Sequence, residues 1–184
     1  MAKLMSSYLN QYPGRPAAVL GGGPSLPEDI RKLPKGCLMI AVNYHYQLMT
    51  GHDPDFMVFN DHLEDFPIQS AWVLKTRAVL VSPDREISDI VYDVSVWTGF
   101  FSSNTAAWLA LWMGCDPVIL CGMDCYRGDA VYCHPTDYDS PSFHQPLDHY
   151  LRPWIEEGKK LLPHLERLKV MSGPLIQLFG AYDD

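Results

Sequence analysis

The sequence has no cluster of lysine and arginine, and its charge balance is acidic: 14 Lys+Arg stand against 22 Asp+Glu, a formal net charge of −8. Such a chain is not expected to coat nucleic acid, because neutralising a phosphate backbone needs a concentrated basic surface. A phosphate ligand would have to be held by backbone N–H groups and a few polar side chains. No apolar run reaches the roughly 20 residues that cross a bilayer, so no membrane span is expected. The opening Met-Ala-Lys-Leu-Met-Ser-Ser lacks the apolar core of a secretory signal. The five cysteines are odd in number and irregularly spaced, which argues for free thiols rather than a disulfide framework. A soluble, cytoplasmic protein is the expectation. Repeats and low-complexity tracts are also missing. What is present is 47% hydrophobic residues over 184 positions, enough for a single domain (1–184) with a core.

The chain is organised around Ala17-Ala18-Val19-Leu20-Gly21-Gly22-Gly23-Pro24-Ser25-Leu26. The apolar run is too short for a helix and ends in three glycines, so it reads as a buried strand entering a tight turn. Glycine has no Cβ, and a ligand can lie against its backbone. Ser25 and Glu28 have the spacing of a capping box, and Pro27 falls in the first helical turn. A helix N-terminus facing such a turn is an anion site, since N–H groups and the dipole both point at it. Leu26 stands where the dinucleotide fingerprint needs its third glycine. No Gly-Lys-Ser/Thr follows, so the turn is not a P-loop either.

Residues before Pro16 show no periodicity and read as a loosely packed leader. Pro27–Leu33 predicts a short helix, Cys37–Val42 a second strand, Tyr44–Thr50 a helix closed by Gly51, and Phe56–Phe59 a third strand. Continuous apolar runs of this kind suit parallel strands covered on both faces. The βα rhythm argues for right-handed βαβ units. Ala78–Val81 predicts a fourth strand. Glu86–Phe101 fits neither period and reads as an irregular connection with an edge strand. Ser102-Ser103-Asn104 reads as the cap of a buried helix over Thr105–Met113, and Pro117–Cys121 predicts a fifth strand. From about 126 to 149 the chain is polar and aromatic, and a connection of that length reads as a lid. Leu151–Leu168 is mostly helical in pattern, Val170-Met171 a last strand and Leu175–Phe179 a last short helix. The expected fold is α/β, Rossmann-like, a mostly parallel sheet with helices on both faces.

In such a sheet ligands bind beyond the carboxyl ends of the strands. The residues placed there are Gly21, Gly22, Gly23 and Ser25 after the first strand, Asn43 after the second, and Asn60 and Asp61 after the third. Asp124 follows the fifth, and Ser102 and Ser103 sit at a helix start. Asparagine can bond phosphate, ribose or base without adding charge, although Asn and Asp at such junctions also serve as caps. Cys121, Cys125, Cys133 and His134 do not have zinc-knuckle spacing, and no zinc site is expected. His52, Asp53, Asp55 and His62 could hold a divalent ion but read as solvated turn residues. His164 reads as a surface residue.

Val19-Leu20-Gly21-Gly22-Gly23-Pro24-Ser25-Leu26, Ile40-Ala41-Val42-Asn43, Met57-Val58-Phe59-Asn60 and Gly114-Cys115-Asp116-Pro117 through Gly122-Met123-Asp124-Cys125-Tyr126 fall in the order seen in two related groups. The chain resembles the bacterial sialyltransferases that use CMP-sialic acid, and also the 6-hydroxymethylpterin diphosphokinase-like domains. The first resemblance implies a Rossmann-like fold and no metal, the second ATP and magnesium. In the sialyltransferase pattern, Asn43 and Asn60 correspond to nucleotide-contacting asparagines and Ser102 or Ser103 to a nucleotide-binding serine. Tyr126 corresponds there to a phosphate-side tyrosine, and His144 or His149 to the general base. Gly22 departs from that pattern, which usually has asparagine there. Pro54-Asp55-Phe56 with Asp61 looks like the diphosphokinase pattern, in which Asp61 and Asp124 would be the metal ligands.

The expectation is a nucleotide-dependent transferase, a CMP-sugar glycosyltransferase first. The alternatives are a magnesium-dependent diphosphokinase and a non-catalytic nucleotide-binding or phage assembly-related protein. Its partners would be a nucleotide or nucleotide-sugar and a small hydroxyl acceptor, with a homo-oligomer left open. The compact length resembles a phage or mobile-element copy.

Overall fold

The Ala-Ala-Val-Leu run forms an interior strand of the sheet, paired on both edges. A computed structural model describes residues 2–61, 67–92, 101–125, 132–134, 149, 151–152, 154–156, 160, 164 and 166–183. Its strands are β1 (Lys3–Leu4), β2 (Ala17–Leu20), β3 (Leu38–Val42), β4 (Phe56–Val58), β5 (Val79–Ser82), β6 (Ile90–Val91), β7 (Val118–Cys121) and β8 (Leu168–Val170). Helices with both ends among the described residues are α1 (Leu26–Arg31), α2 (His45–Thr50), α3 (Pro67–Val73), α4 (Ser102–Trp112) and α5 (Ile176–Phe179). They form one eight-stranded sheet in the order β1-β6-β5-β4-β3-β2-β7-β8, and every pairing is parallel.

β2 shows why so apolar a strand belongs in the sheet interior. Ala17 and Val19 pack into the core under α4, and Ala18 and Leu20 into a second core with Leu26 of α1 and Tyr46 of α2. All four side chains are fully buried. Both faces are therefore covered, and no polar residue is tolerated along the strand. α4 is buried along most of its length, from Ser102 to Leu111: its apolar part from Ala106 onward lies in the core, and its polar first turn, Ser102 to Thr105, is buried too. Gly51 and Gly114 close α2 and α4 with left-handed φ of 71° and 84°. Arg167 completes the second stop by donating to the carbonyls of Leu111 and Cys115 at 2.8 and 2.7 Å.

Three expectations change. The leader is not loose: Lys3 and Leu4 form the outermost strand against β6, Met5 is 1% exposed, and Tyr8 and Tyr12 pack on the core. The strand inside Glu86–Phe101 is therefore β6, an interior strand rather than an edge. Ser102 and Ser103 lie within the first turn of α4 rather than capping it, and the flanking Phe101 N–H instead reaches Asn104 Oδ1. All five cysteines are free. No described helix is long and apolar enough to cross a membrane.

Candidate functional site

With every strand parallel, all carboxyl ends open on one edge, and the strand order reverses between β2 and β7. A cavity of about 260 Å³ lies at that reversal. Gly21, Gly22 and Gly23 from β2, Val42 and Asn43 from β3, and Asn60 and Asp61 from β4 line it. Gly122 to Cys125 after β7 and Phe101 to Ser103 at the head of α4 close it, with His45, Tyr132 and Trp154. Of the expected nucleotide residues, all but Ser25 come to this one cavity. Among the described residues its lining carries two carboxylates, Asp61 and Asp124, and no lysine or arginine.

The glycine turn is built differently from the expectation. Gly21, Gly22 and Gly23 do not adopt left-handed φ; they are glycine because the protein itself crowds them. A Cβ at Gly21 would stand 2.5 Å from the Gly122 carbonyl, one at Gly22 2.5 Å from the His45 ring, and one at Gly23 2.1 Å from Asp124 Oδ2. The place that a side chain at position 22 would need is filled by His45.

Nor is α1 an open anion site. Asp124 Oδ2 accepts from the Ser25 N–H at 3.0 Å and lies 2.9 Å from Ser25 Oγ, so the chain's own carboxylate sits at that helix end. Ser25 makes no side-chain cap; its hydroxyl also lies 3.0 Å from Asp29 Oδ2. Glu28 pairs with Arg31 and Lys32 at the surface instead of closing a capping box. Buried Asp29 in turn accepts from the Gly122 N–H at 2.9 Å and from Ser172 Oγ at 2.7 Å. Ser25, Asp29 and Asp124 together tie the turn to the ends of β7 and β8.

The asparagines are held in two ways. Asn43 adopts a left-handed φ of 57°. Its Oδ1 is buried with no hydrogen-bond partner among the described residues, which calls for a ligand or water as donor. Asn60 Oδ1 accepts from the Tyr92 hydroxyl, and the Asn60 N–H donates to Ser102 Oγ at 3.0 Å. Burial, and then the charge of Asp61, push the Tyr92 phenol up, so it remains a donor. Ser102 and Ser103 are the first two residues of α4, where a helix's N–H groups have no intrahelical acceptor, whereas the Asn104 and Thr105 N–H groups donate to the Phe101 carbonyl.

One feature of the cavity is not legible as a motif. His45, 6% exposed, has its Nδ1 2.8 Å from His134 Nε2. The Tyr132 ring stacks on His45 at 4.4 Å, and the Cys133 N–H donates to the Gly22 carbonyl at 2.9 Å. Burial, and then His134, push the His45 imidazole down to about 3. His134 stood in the sequence only as a lid residue and a zinc candidate, and His45 only as one residue of the helix expected over Tyr44–Thr50.

Among the described residues no group of three or more His, Cys, Asp or Glu could hold a metal ion. Asp55, in the Pro54-Asp55-Phe56 segment, lies at the opposite end of β4 from the cavity and accepts the Met39 N–H at 2.7 Å. Asp53 accepts from Thr76 Oγ1 at 2.7 Å. His149 is helical and exposed. His164 is half-buried, with its ring edge-on to Trp108 at 6.0 Å. Tyr126, His144 and His62 lie outside the described residues, as does most of the expected lid.

No protein-family model matches the chain, and a search of the curated proteins finds no match. Among solved structures the fold is similar to that of the sialyltransferase CstII from Campylobacter jejuni. In complex with a substrate analogue, CMP-3FNeuAc, that structure shows a TM-score of 0.61 at 13% identity, covering 91% of this chain and 86% of that one. In complex with CMP and a trisaccharide acceptor, the TM-score is 0.60 at 15% identity, over 92% and 86%. A glycosyltransferase from Magnetospirillum magneticum is also found, but this chain spans only 28% of its length and the TM-score of 0.45 carries no weight. None of these neighbours supports the diphosphokinase half of the resemblance. What the likeness establishes is the fold: a parallel, Rossmann-like α/β sheet shared with a sialyltransferase.

Proposed function

We propose that this protein is a glycosyltransferase that takes a sugar from a CMP-sugar donor and passes it to a small hydroxyl acceptor, with the donor in the cavity between β2 and β7. The observation that carries this reading is the convergence of polar groups from β2, β3, β4, β7 and the head of α4 on a single cavity at the point of strand reversal. Nucleotides bind at such points in open parallel sheets. The fold is shared with a sialyltransferase whose structures contain CMP and a CMP-sugar analogue, which supports CMP as the nucleotide.

The residues divide the work by chemistry. Asn43 Oδ1 awaits a donor such as a ribose hydroxyl or a base amine, and Asn60 is oriented beside it by Tyr92. The phosphate lies towards α4, where Ser102, Ser103 and the dipole of an 11-residue helix favour negative charge. Asp124 and Ser25 shape the glycine turn and do not hold the phosphate. With Asp61 and Asp124 as the charged groups among the described lining residues, a single phosphate suits the cavity better than a triphosphate. Tyr126 and the late histidines His144 and His149 remain candidates for the reacting end of the donor.

The test is release of CMP from CMP-sialic acid, with and without a panel of small saccharides, in buffer containing EDTA. Turnover above the spontaneous rate, unaffected by the chelator, is the expected result. CMP binding without any turnover would make this a nucleotide-binding protein. Turnover of ATP only with added magnesium would replace the reading by the diphosphokinase.

A further inference from the structure

We propose that His45 and His134 form a proton relay leading out of the cavity, His45 taking the acceptor hydroxyl's proton and His134 receiving it. This rests on the glycosyl-transfer reading of the same cavity. His45 lines the cavity at the first residue of α2, and its ring fits because position 22 is glycine. Its Nδ1 lies 2.8 Å from His134 Nε2, with the two rings within 19° of parallel. The segment carrying His134 is fixed over the turn by the Cys133-to-Gly22 backbone hydrogen bond and by Tyr132 stacked on His45.

A buried imidazole is a poor place to leave a positive charge, and His45 resists protonation for that reason. Acting alone it would be a weak base near neutral pH. Joined to His134 it need not hold the charge. In the competent tautomer His45 Nδ1–H donates to His134 Nε2, and His45 Nε2 carries the lone pair. As the acceptor oxygen forms its bond to the anomeric carbon, the bond from that carbon to the CMP phosphate oxygen breaks and its electron pair leaves with CMP. The acceptor's proton goes to His45 Nε2 while the Nδ1 proton passes to His134 Nε2. His45 is neutral before and after; the charge appears on His134, which is only half-buried.

The test compares His45→Gln, His134→Gln and the double variant, reading CMP affinity by calorimetry and CMP release from CMP-sialic acid with water as acceptor. Groups that act as a unit are strongly non-additive. Each single variant should lose about 10²-fold or more in turnover, the double variant should lose no more than either single, and CMP affinity should stay within threefold. Multiplicative losses, or turnover within threefold of the unaltered protein in His134→Gln, would overturn the relay. So would loss of turnover in His149→Gln with both relay variants active. If His45→Gln fails to fold, His134→Gln alone decides, because its side chain lies on the outer side of the pair. Failure of the unaltered protein to bind CMP would sink the function and the relay together, whereas binding with relay variants at full turnover sinks the relay alone.

Discussion

At the scale of single residues, the glycine turn is shaped by its neighbours. Three glycines in a row suggested a surface cleared for a ligand, yet the clearances are filled by Gly122, His45 and Asp124 of the same chain. The residue with the largest consequence is His45, whose burial has a signature in solution. Burial, and then His134, hold its folded imidazole down at about 3, below the ordinary histidine value of about 6.5, so the unfolded state takes up a proton first as pH falls. The unfolded chain therefore binds one more proton between those values, and stability drops as pH falls below 6.5, by up to about 1.4 kcal/mol per unit. Urea melts of the unaltered protein and of His45→Gln from pH 7.5 to 5 should show a shallower dependence in the variant. Equal slopes would mean that the ring is hydrated or shares its proton with His134.

At the scale of elements, most of the sheet was legible because its strands are continuous apolar runs closed by Gly, Pro, Asn or Asp. β2, β3, β4, β5 and β7 all appear within a residue or two of their expected bounds. β1 was not legible, since two residues carry no period and the pairing of Lys3 with Ile90 is a contact across the sequence. The side chains of Met5, Tyr8 and Tyr12 reach the core from a segment with no pattern of its own. The Ser25–Glu28 spacing misled for a related reason: a tertiary partner, Asp124, lies 99 positions away and competes for the serine. If the amino-terminal segment is part of the core, Met5→Ala should destabilise the protein by about 2–5 kcal/mol, as other buried large-to-small changes do. A change in the urea midpoint worth less than about 1 kcal/mol would restore the loose leader.

At the scale of the whole molecule, the fold explains why scattered junction residues line one cavity. A parallel sheet sends every strand end to the same edge, and the cavity lies there at the reversal between β2 and β7. The junction residues Asn43, Asn60, Asp61 and Asp124 were therefore readable from the sequence as a group. The His45–His134 pair was not, because 89 positions separate the two rings and only the docking of residues 132–134 on the turn unites them. The central claim is that this cavity receives a cytidine nucleotide, and calorimetric titration of CMP into the unaltered protein and into Asn43→Gly tests it most directly. Glycine keeps the left-handed backbone at position 43, so the variant should fold while lacking the buried acceptor. The account requires saturable binding of CMP without added metal and a several-fold weaker affinity in Asn43→Gly, the worth of one hydrogen bond of about 0.5–1.5 kcal/mol. No heat of binding, or an affinity indifferent to Asn43, would contradict it.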